Sequence, residues 1–368
     1  MSSQRIAVIG AGHLGSIHAK LAQQHPQATL AAIVEPNESA RNAAGQQLGA
    51  PVFATVAELP KDISAAIIAT NTPSHREVAV ELLSRGVPCL VEKPLALTAT
   101  DAWRIIDASR AADATLAVGH TERFNPAFLE AQRRVYQPKY ITATRACPYL
   151  FRSVDVGVVH DLMIHDLDML LALVDDDPVD VSALGVAVFG PYEDMATARI
   201  TFAGGCVADL TASRTSPAPQ RTMNIFAESG FAALDFQTRV ATFVDPIEAI
   251  RTRTLDVHAL PAERQAQVKE RLFEDYLQTS VVEPPETNPL LNEQADFLQA
   301  ARTGAAPRVT GEAAAAAIAL AERVLAAIAA HRWDGAETGR RGPHFLPTRA
   351  IVPGPRVIDA EPEFRKAG

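Results

Sequence analysis

Apolar runs of strand length alternate with helical stretches through the first third of the chain. Arg5 to Ile9 reads as a buried strand; it enters Gly10-Ala11-Gly12-His13-Leu14-Gly15 and then a helical stretch to about His25. Thr29 to Val34 is a second apolar strand, ending at Glu35. Ile63 to Ala69, Val87 to Val91 and Thr115 to Gly119 repeat the strand pattern, with helices from Pro73 to about Arg85 and from Thr98 to Ala112 between them. Strands separated by helices predict an α/β fold: a doubly wound parallel sheet covered on both faces.

The pattern changes near Glu122. Phe124 to Val135 has a helical rhythm, and Lys139 to Pro148 alternates as a strand. The runs Val179 to Val188, Thr197 to Phe202, Cys206 to Ala212, Met223 to Ala227, Phe231 to Phe236 and Arg239 to Val244 then follow without helices between them. Gly204-Gly205 and Ser229-Gly230 are hairpin turns. Consecutive strands of this kind predict a large, open, mainly antiparallel sheet. Asn292 to Ala301 and Glu312 to His331 return to helical spacing. The expected division is a dinucleotide-binding domain over 1–122, a substrate-binding and oligomerisation domain over 123–332, and an irregular tail over 333–368.

Between the two halves lies Val154 to Val174, with apolar residues at threes and fours. Asp161 and His165 stand four apart, so a regular helix places both on one face. A carboxylate one turn from an imidazole orients a general base and raises its pKa. A helix start with a satisfied polar pair fits the same residues. His160, Asp161, His165 and Asp166 do not make a metal site, because neighbouring helix positions cannot all point at one ion. No metal is expected.

Composition narrows the partners. The chain has 368 residues and a net charge of −9, which argues against a nucleic-acid or membrane surface as the main partner. Cys89, Cys147 and Cys206 are widely spaced, as in a reduced, cytoplasmic protein. The longest apolar run, Ala313 to Ala321, is too short to span a bilayer.

The glycine turn is the strongest chemical signal. In G-x-G-x-x-G, Gly10 permits the tight turn, Gly12 lets the backbone approach a pyrophosphate, and Gly15 lets helix and strand pack closely. The N–H groups around His13 and Leu14 then face the phosphates at the helix N-terminus. Glu35 would take the ribose hydroxyls and repel the 2′-phosphate of NADP. Arg41 is the nearby guanidinium, so NAD is the expected cofactor and NADP the less favoured one. Ligands of such sheets sit at the carboxyl ends of strands. Thr70, Asn71, Thr72, Glu92, Lys93 and His120 all fall there.

Four motifs in this order, GAGHLGSIHA, TNTPSH at 70–75, EKPLA at 92–96 and DLMIHDLD at 161–168, resemble the glucose-fructose oxidoreductase / inositol dehydrogenase / MocA family. The resemblance spans about 4–332. It implies an NAD(P)-dependent dehydrogenase acting on CH–OH groups, a Rossmann domain followed by an α/β domain whose open sheet makes oligomer contacts, and a homodimer or homotetramer. It adds His75 to the cofactor residues and implies catalytic roles for Lys93, Asp161 and His165 around the reacting oxygen. GHTERFNP at 119–126 is most similar to the branch that oxidises the 3-hydroxyl of UDP-N-acetylglucosamine or its uronic acid, although Thr121 departs from the apolar residue common there. A sugar or nucleotide-sugar substrate is therefore expected, best read as C3 of a UDP-N-acetylhexosamine. Lys93, Arg123, Asn125, Arg145, Arg152, Asp161 and His165 are its candidate contacts, with Arg214 and Arg221 as further cations for a pyrophosphate. The alternatives are an inositol or free-sugar dehydrogenase, a redox-neutral NAD-dependent glycosidase, and a dinucleotide-binding regulator.

Overall fold

A computed structural model of the chain describes residues 3–150, 156–334 and 338–344. The first layer runs β1 Gln4–Ile9, α1 His13–Gln24, β2 Ala28–Val34, α2 Glu38–Leu48, β3 Val52–Phe53, β4 Ala65–Ile68, α3 Thr72–Ser84, β5 Cys89–Glu92, α4 Ala99–Ala111 and β6 Leu116–Gly119. Its strands lie in the order β3-β2-β1-β4-β5-β6, and every adjacent pair is parallel. β4, β5 and β6 are buried at every residue, as strands covered on both faces must be. The order reverses between β1 and β4, and at that reversal a crevice opens at the carboxyl ends of the strands.

The second layer begins with α5 Pro126–Arg134 and β7 Pro138–Ala146. One π turn, Val159–Met163, leads into α6 Ile164–Val174. Then come β8 Pro178–Val186, β9 Met195–Phe202, β10 Val207–Ser213, β11 Gln220–Ala227, β12 Gly230–Asp235, β13 Val240–Pro246, α7 Glu248–Arg251, α8 Ala262–Glu270 and β14 Leu277–Val282. The eight strands lie in the order β14-β13-β12-β11-β7-β10-β9-β8. The sheet is mixed: β7 and β10 are parallel, and the remaining neighbours are antiparallel. β7 enters the middle of the sheet from α5 rather than from a hairpin, so its direction is not tied to the next strand.

Alternation along these strands gives one buried and one open face. On β9, Ala196, Ala198, Ile200 and Phe202 point inward, while Arg199 is exposed. α5, α6 and α10 Gly311–Ala330 cover the inner face. The outer face carries Phe226, 48% exposed, and Val281, 55% exposed. There Tyr140 and Phe226 stack with ring centroids 6.1 Å apart.

Two helices return to the first layer. α9 Pro289–Thr303 packs on α1, and its Phe297 and Leu298 belong to the same apolar cluster as Ile6, Val8, Leu30, Ile33 and Ile67. The chain then crosses the free edge of β6, where Val118 N–H donates to Val309 O at 3.1 Å. α10 is long and apolar enough to cross a membrane by length and composition. Here its alanine-rich stripe, from Ala314 to Ile328, is buried against α4, α6 and β8. Small side chains let those backbones come close.

The structure departs from the sequence reading at four places. The helix expected from Val154 begins at Val159 and opens with a π turn; 154 itself lies outside the described residues. The sheet contains the parallel β7–β10 pair. α2, β3, α7, α8 and β14 carry weak or polar patterns that gave no signal. Part of the tail is ordered: Trp333 Nε1–H donates to Gly342 O at 2.8 Å, and Ala187 N–H donates to Pro343 O at 2.9 Å.

Candidate active site

The glycine turn closes the crevice at the ends of β1 and β4. Gly10 has φ +99°, and a Cβ there would lie 2.5 Å from Ala69 O. A Cβ on Gly15 would lie 2.0 Å from Gly10 O, so both positions require glycine. At Gly12 a Cβ would meet nothing within 4 Å, so the backbone faces open space. Gly12 also caps α1, so among the described residues no side chain caps the first-turn N–H groups around His13 and Leu14. The cavity here, about 660 Å³, is walled by Gly10, Gly12, Glu35, Thr70 and Asn71. Glu35 Oε2 accepts from Ala11 N–H and Oε1 from Asn37 N–H, each at 3.0 Å. An open backbone, free donors and an adjacent carboxylate fit a dinucleotide. Arg41 is turned to the carbonyls of Glu35 and Pro36 at 2.8 and 2.9 Å.

Several expected cofactor residues work behind this surface instead. His75 is buried, with its ring nitrogens 3.0 Å from Pro94 O and 3.2 Å from Thr70 O, so it braces two loops. Thr72 opens α3. Glu92 is buried against His18 Nε2 at 2.7 Å and accepts from Lys93 N–H at 3.1 Å. His120 is buried, its pKa lowered chiefly by desolvation and raised back in part by Asp168.

A second cavity of about 460 Å³ brings Lys93, Asp161 and His165 together with Asn125, Arg145 and Arg221. Lys93 follows β5 and reaches across to the π turn, donating from Nζ to Asp161 O at 2.7 Å and to Asp161 Oδ1 at 3.2 Å. This corrects the expected Asp161–His165 pair. Both line the cavity, but among the described residues no hydrogen bond joins them; Asp161 lies in the π turn and its carboxylate turns to Lys93. His165 is half-buried in the cavity wall, with Nδ1 buried and unpartnered. Its pKa lies well below the usual histidine value, pushed there by desolvation first and then by Lys93, Arg145, His120 and Arg221. The expected rise from Asp161 is absent among these influences. His165 is therefore a neutral imidazole at neutral pH.

The arginines separate sharply. Arg145 is buried and bonded twice over, to Asp166 Oδ1 at 2.9 Å and to Glu122 Oε1 at 2.8 Å. Arg123 Nη1 is 3.4 Å from Asp168 Oδ1 and does not line the cavity. Arg214 grips Asp194 at 2.6 Å, away from the cavity. Arg152 lies outside the described residues. Asn125 lines the cavity, but its amide is engaged: Nδ2 donates to Glu122 Oε2 at 3.0 Å and to Phe236 O at 3.1 Å, and Oδ1 caps Ala127 N–H at 3.1 Å. Arg221 remains at the wall, exposed, its guanidinium without a hydrogen bond or ion pair among the described residues. Sequence reasoning missed Arg239, Phe236 and Asn288, which also line the cavity. They sit in turns and strand ends that carried no motif.

Beneath Lys93, one ligand atom each of His18, Glu92 and Glu293 lies within 4.8 Å of the others. Glu293 is 2% exposed and accepts from Thr121 Oγ1 at 3.1 Å. Burial, then the nearby Glu92, raises its pKa well above the usual carboxylate range. A proton on Glu293 thus accounts for two buried carboxyl groups so close together.

Fold and cavities define a class: a dehydrogenase that moves hydride between a nicotinamide and a CH–OH group. Residues 4–120 match the family model "Oxidoreductase family, NAD-binding Rossmann fold", and 126–233 match "GFO/IDH/MocA C-terminal domain". The chain belongs to this GFO/IDH/MocA family and is an NAD-binding oxidoreductase. It is 36% identical over 293 residues to a UDP-N-acetylglucosamine 3-dehydrogenase from Acidithiobacillus ferrooxidans, spanning 77% of this chain and 91% of that enzyme. A solved structure of a UDP-N-acetylglucosamine 3-dehydrogenase from that species has a TM-score of 0.77 at 32% identity, covering 89% of this chain and 98% of the other. An inositol 2-dehydrogenase from Rhizobium meliloti is 25% identical over 347 residues, 89% of this chain and 98% of that one.

Proposed function

We propose that the protein oxidises a secondary hydroxyl of a nucleotide sugar, C3 of a UDP-N-acetylhexosamine, with NAD. The observation that carries this reading is the meeting of the Lys93 ammonium, held by Asp161, with the neutral His165 imidazole in one cavity. Likeness to the 3-dehydrogenase over 91% of its length favours the nucleotide sugar over an inositol.

Oxidation requires the O–H proton to leave as hydride departs from the same carbon. Bound NAD supplies the hydride acceptor, held by the glycine turn and Glu35. His165 takes the proton, because it is unprotonated at working pH. Lys93 donates to the same oxygen and stabilises the negative charge that grows there. Asp161 fixes the lysine rather than the histidine.

The test follows NADH absorbance with UDP-N-acetylhexosamines, free hexoses and inositols. Saturable NADH formation with the UDP-sugar supports the reading. Saturation by myo-inositol with no response to any UDP-sugar overturns it, and hydrolysis without net NADH indicates the glycosidase. The same reading places the enzyme in the cytoplasm. It also joins two or four copies through the outer face of the second sheet, where Phe226 and Val281 stand exposed. Light scattering that returned the 39.4 kDa mass of one chain at micromolar concentration would refute that assembly.

A further inference from the structure

The charge of the catalytic cavity runs against the charge of the chain. Four cations line it, Lys93, Arg145, Arg221 and Arg239, against two carboxylates, Glu122 and Asp161. The wall therefore holds a surplus of two positive charges in a protein of net charge −9. Pairing shows where the surplus sits. Glu122 is bound by Arg145 at 2.8 Å, and Asp161 by Lys93 at 3.2 Å. Asp166, behind the wall, takes the rest of the Arg145 guanidinium.

What is left over is Arg221 and Arg239, and the second sheet brings them to one end. Arg221 lies opposite Arg145 in the β11–β7 register, so their side chains leave the same face. Phe236 N–H donates to Arg221 O at 2.9 Å, and the chain turns from there to Arg239 before β13. Arg239 stands at φ +66° in that turn. Its Nη1 is tied to Thr287 O at 2.8 Å, which anchors the side chain at the cavity wall. Arg221 is exposed and Arg239 half-buried, and among the described residues no carboxylate is bonded to either, whereas Arg145 is already paired twice; an anion between the two would offset their repulsion. A neutral polyol offers these groups hydroxyl acceptors but no opposing charge.

We propose that Arg221 and Arg239 form an anion subsite that grips a diphosphate, with Lys93 and His165 acting on the sugar beyond it. The inference rests on reading this cavity as the substrate site and assigns the residues that would select a sugar diphosphate over an uncharged sugar. Two guanidiniums matched to two phosphoryl groups is the geometry arginine serves best.

The test uses inorganic pyrophosphate, titrated calorimetrically into protein saturated with NADH so that the glycine turn is already filled. One site is expected, weakening as salt rises. Arg221→Gln and Arg239→Gln should each lower its affinity roughly tenfold or more, while Arg221→Lys keeps part of it. Unchanged NADH binding serves as the folding control. No pyrophosphate binding, or full affinity in Arg221→Gln, overturns the subsite. The two readings fail separately. Turnover of a UDP-sugar without pyrophosphate binding removes the subsite and leaves the proposed function. Arginine-dependent binding without UDP-sugar turnover does the reverse.

Discussion

At the scale of single residues, Lys93, Asp161 and His165 were legible because each sits in a motif, yet their pairing was not. Spacing along one helix does not say which partner a carboxylate takes, and Asp161 takes Lys93 from the end of β5. Lys93→Ala and His165→Ala should each lower turnover by roughly 10²–10⁴-fold, with NADH affinity little altered, as removal of an acid–base or oxyanion-stabilising group does. A His165→Ala enzyme with near-full turnover at saturating substrate would exclude His165 as base. Because burial and the nearby Lys93, Arg145 and Arg221 charges depress the His165 pKa, the rate should stay level through neutral pH and fall only in acid. Arg221→Gln removes one of those neighbours. The imidazolium then becomes easier to form, the pKa rises, and the acid limb should move to higher pH. A limb that stayed in place would show that Arg221 does not face the histidine.

At the scale of elements, the π turn is held by groups that the sequence did not announce. Val158 N–H donates to Glu193 O at 3.0 Å, Val159 N–H donates to Glu193 Oε1 at 3.1 Å, and Arg214 Nη1 donates to Val156 O at 2.9 Å. A Cβ on Gly157 would fall 1.9 Å from Glu193 Oε1. The glycine is thus the space that the carboxylate fills. Glu193→Ala would leave Val159 N–H buried without an acceptor, a loss of about 1–3 kcal/mol in chemical denaturation. Turnover should fall with it, because Asp161 rides on that turn. Equal stability in Glu193→Ala would separate the loop from the turn. None of this was readable beforehand, since Glu193 and Asp194 sit in an irregular loop whose partners are far away in sequence.

At the scale of the whole molecule, alternation of strand and helix was enough to place the parallel sheet, and period-two runs placed most of the second. Two edge strands escaped: β3 has two residues and β14 has no fully buried one, so neither carries a strong apolar pattern. The return of α9 also escaped, because nothing local tells a helix which of two layers it will join. That return carries Glu293 under Lys93. Its raised pKa has a stability consequence with a definite sign. The folded protein holds this proton above the pH at which the unfolded chain releases it, so stability should decline as pH rises from the ordinary carboxylate range toward the folded value. Glu293→Gln, which keeps an acceptor for Thr121, should flatten that slope and be the more stable protein at pH 8 than at pH 5, relative to the parent. Parallel melting curves for the two proteins across that range would contradict a neutral Glu293.

Phe297 and Leu298, which complete the apolar cluster over β1, β2 and β4, have a consequence for synthesis. A ribosome delivers the six strands of the first sheet early and these two side chains late. Until α9 emerges, the nascent cofactor half exposes the socket they fill. Folding of the segment made first is therefore gated by the segment made near the end, and the second sheet must be threaded in the interval. A released chain truncated before Pro289 should remain open to protease at β1 and β2, and one truncated after Thr303 should close.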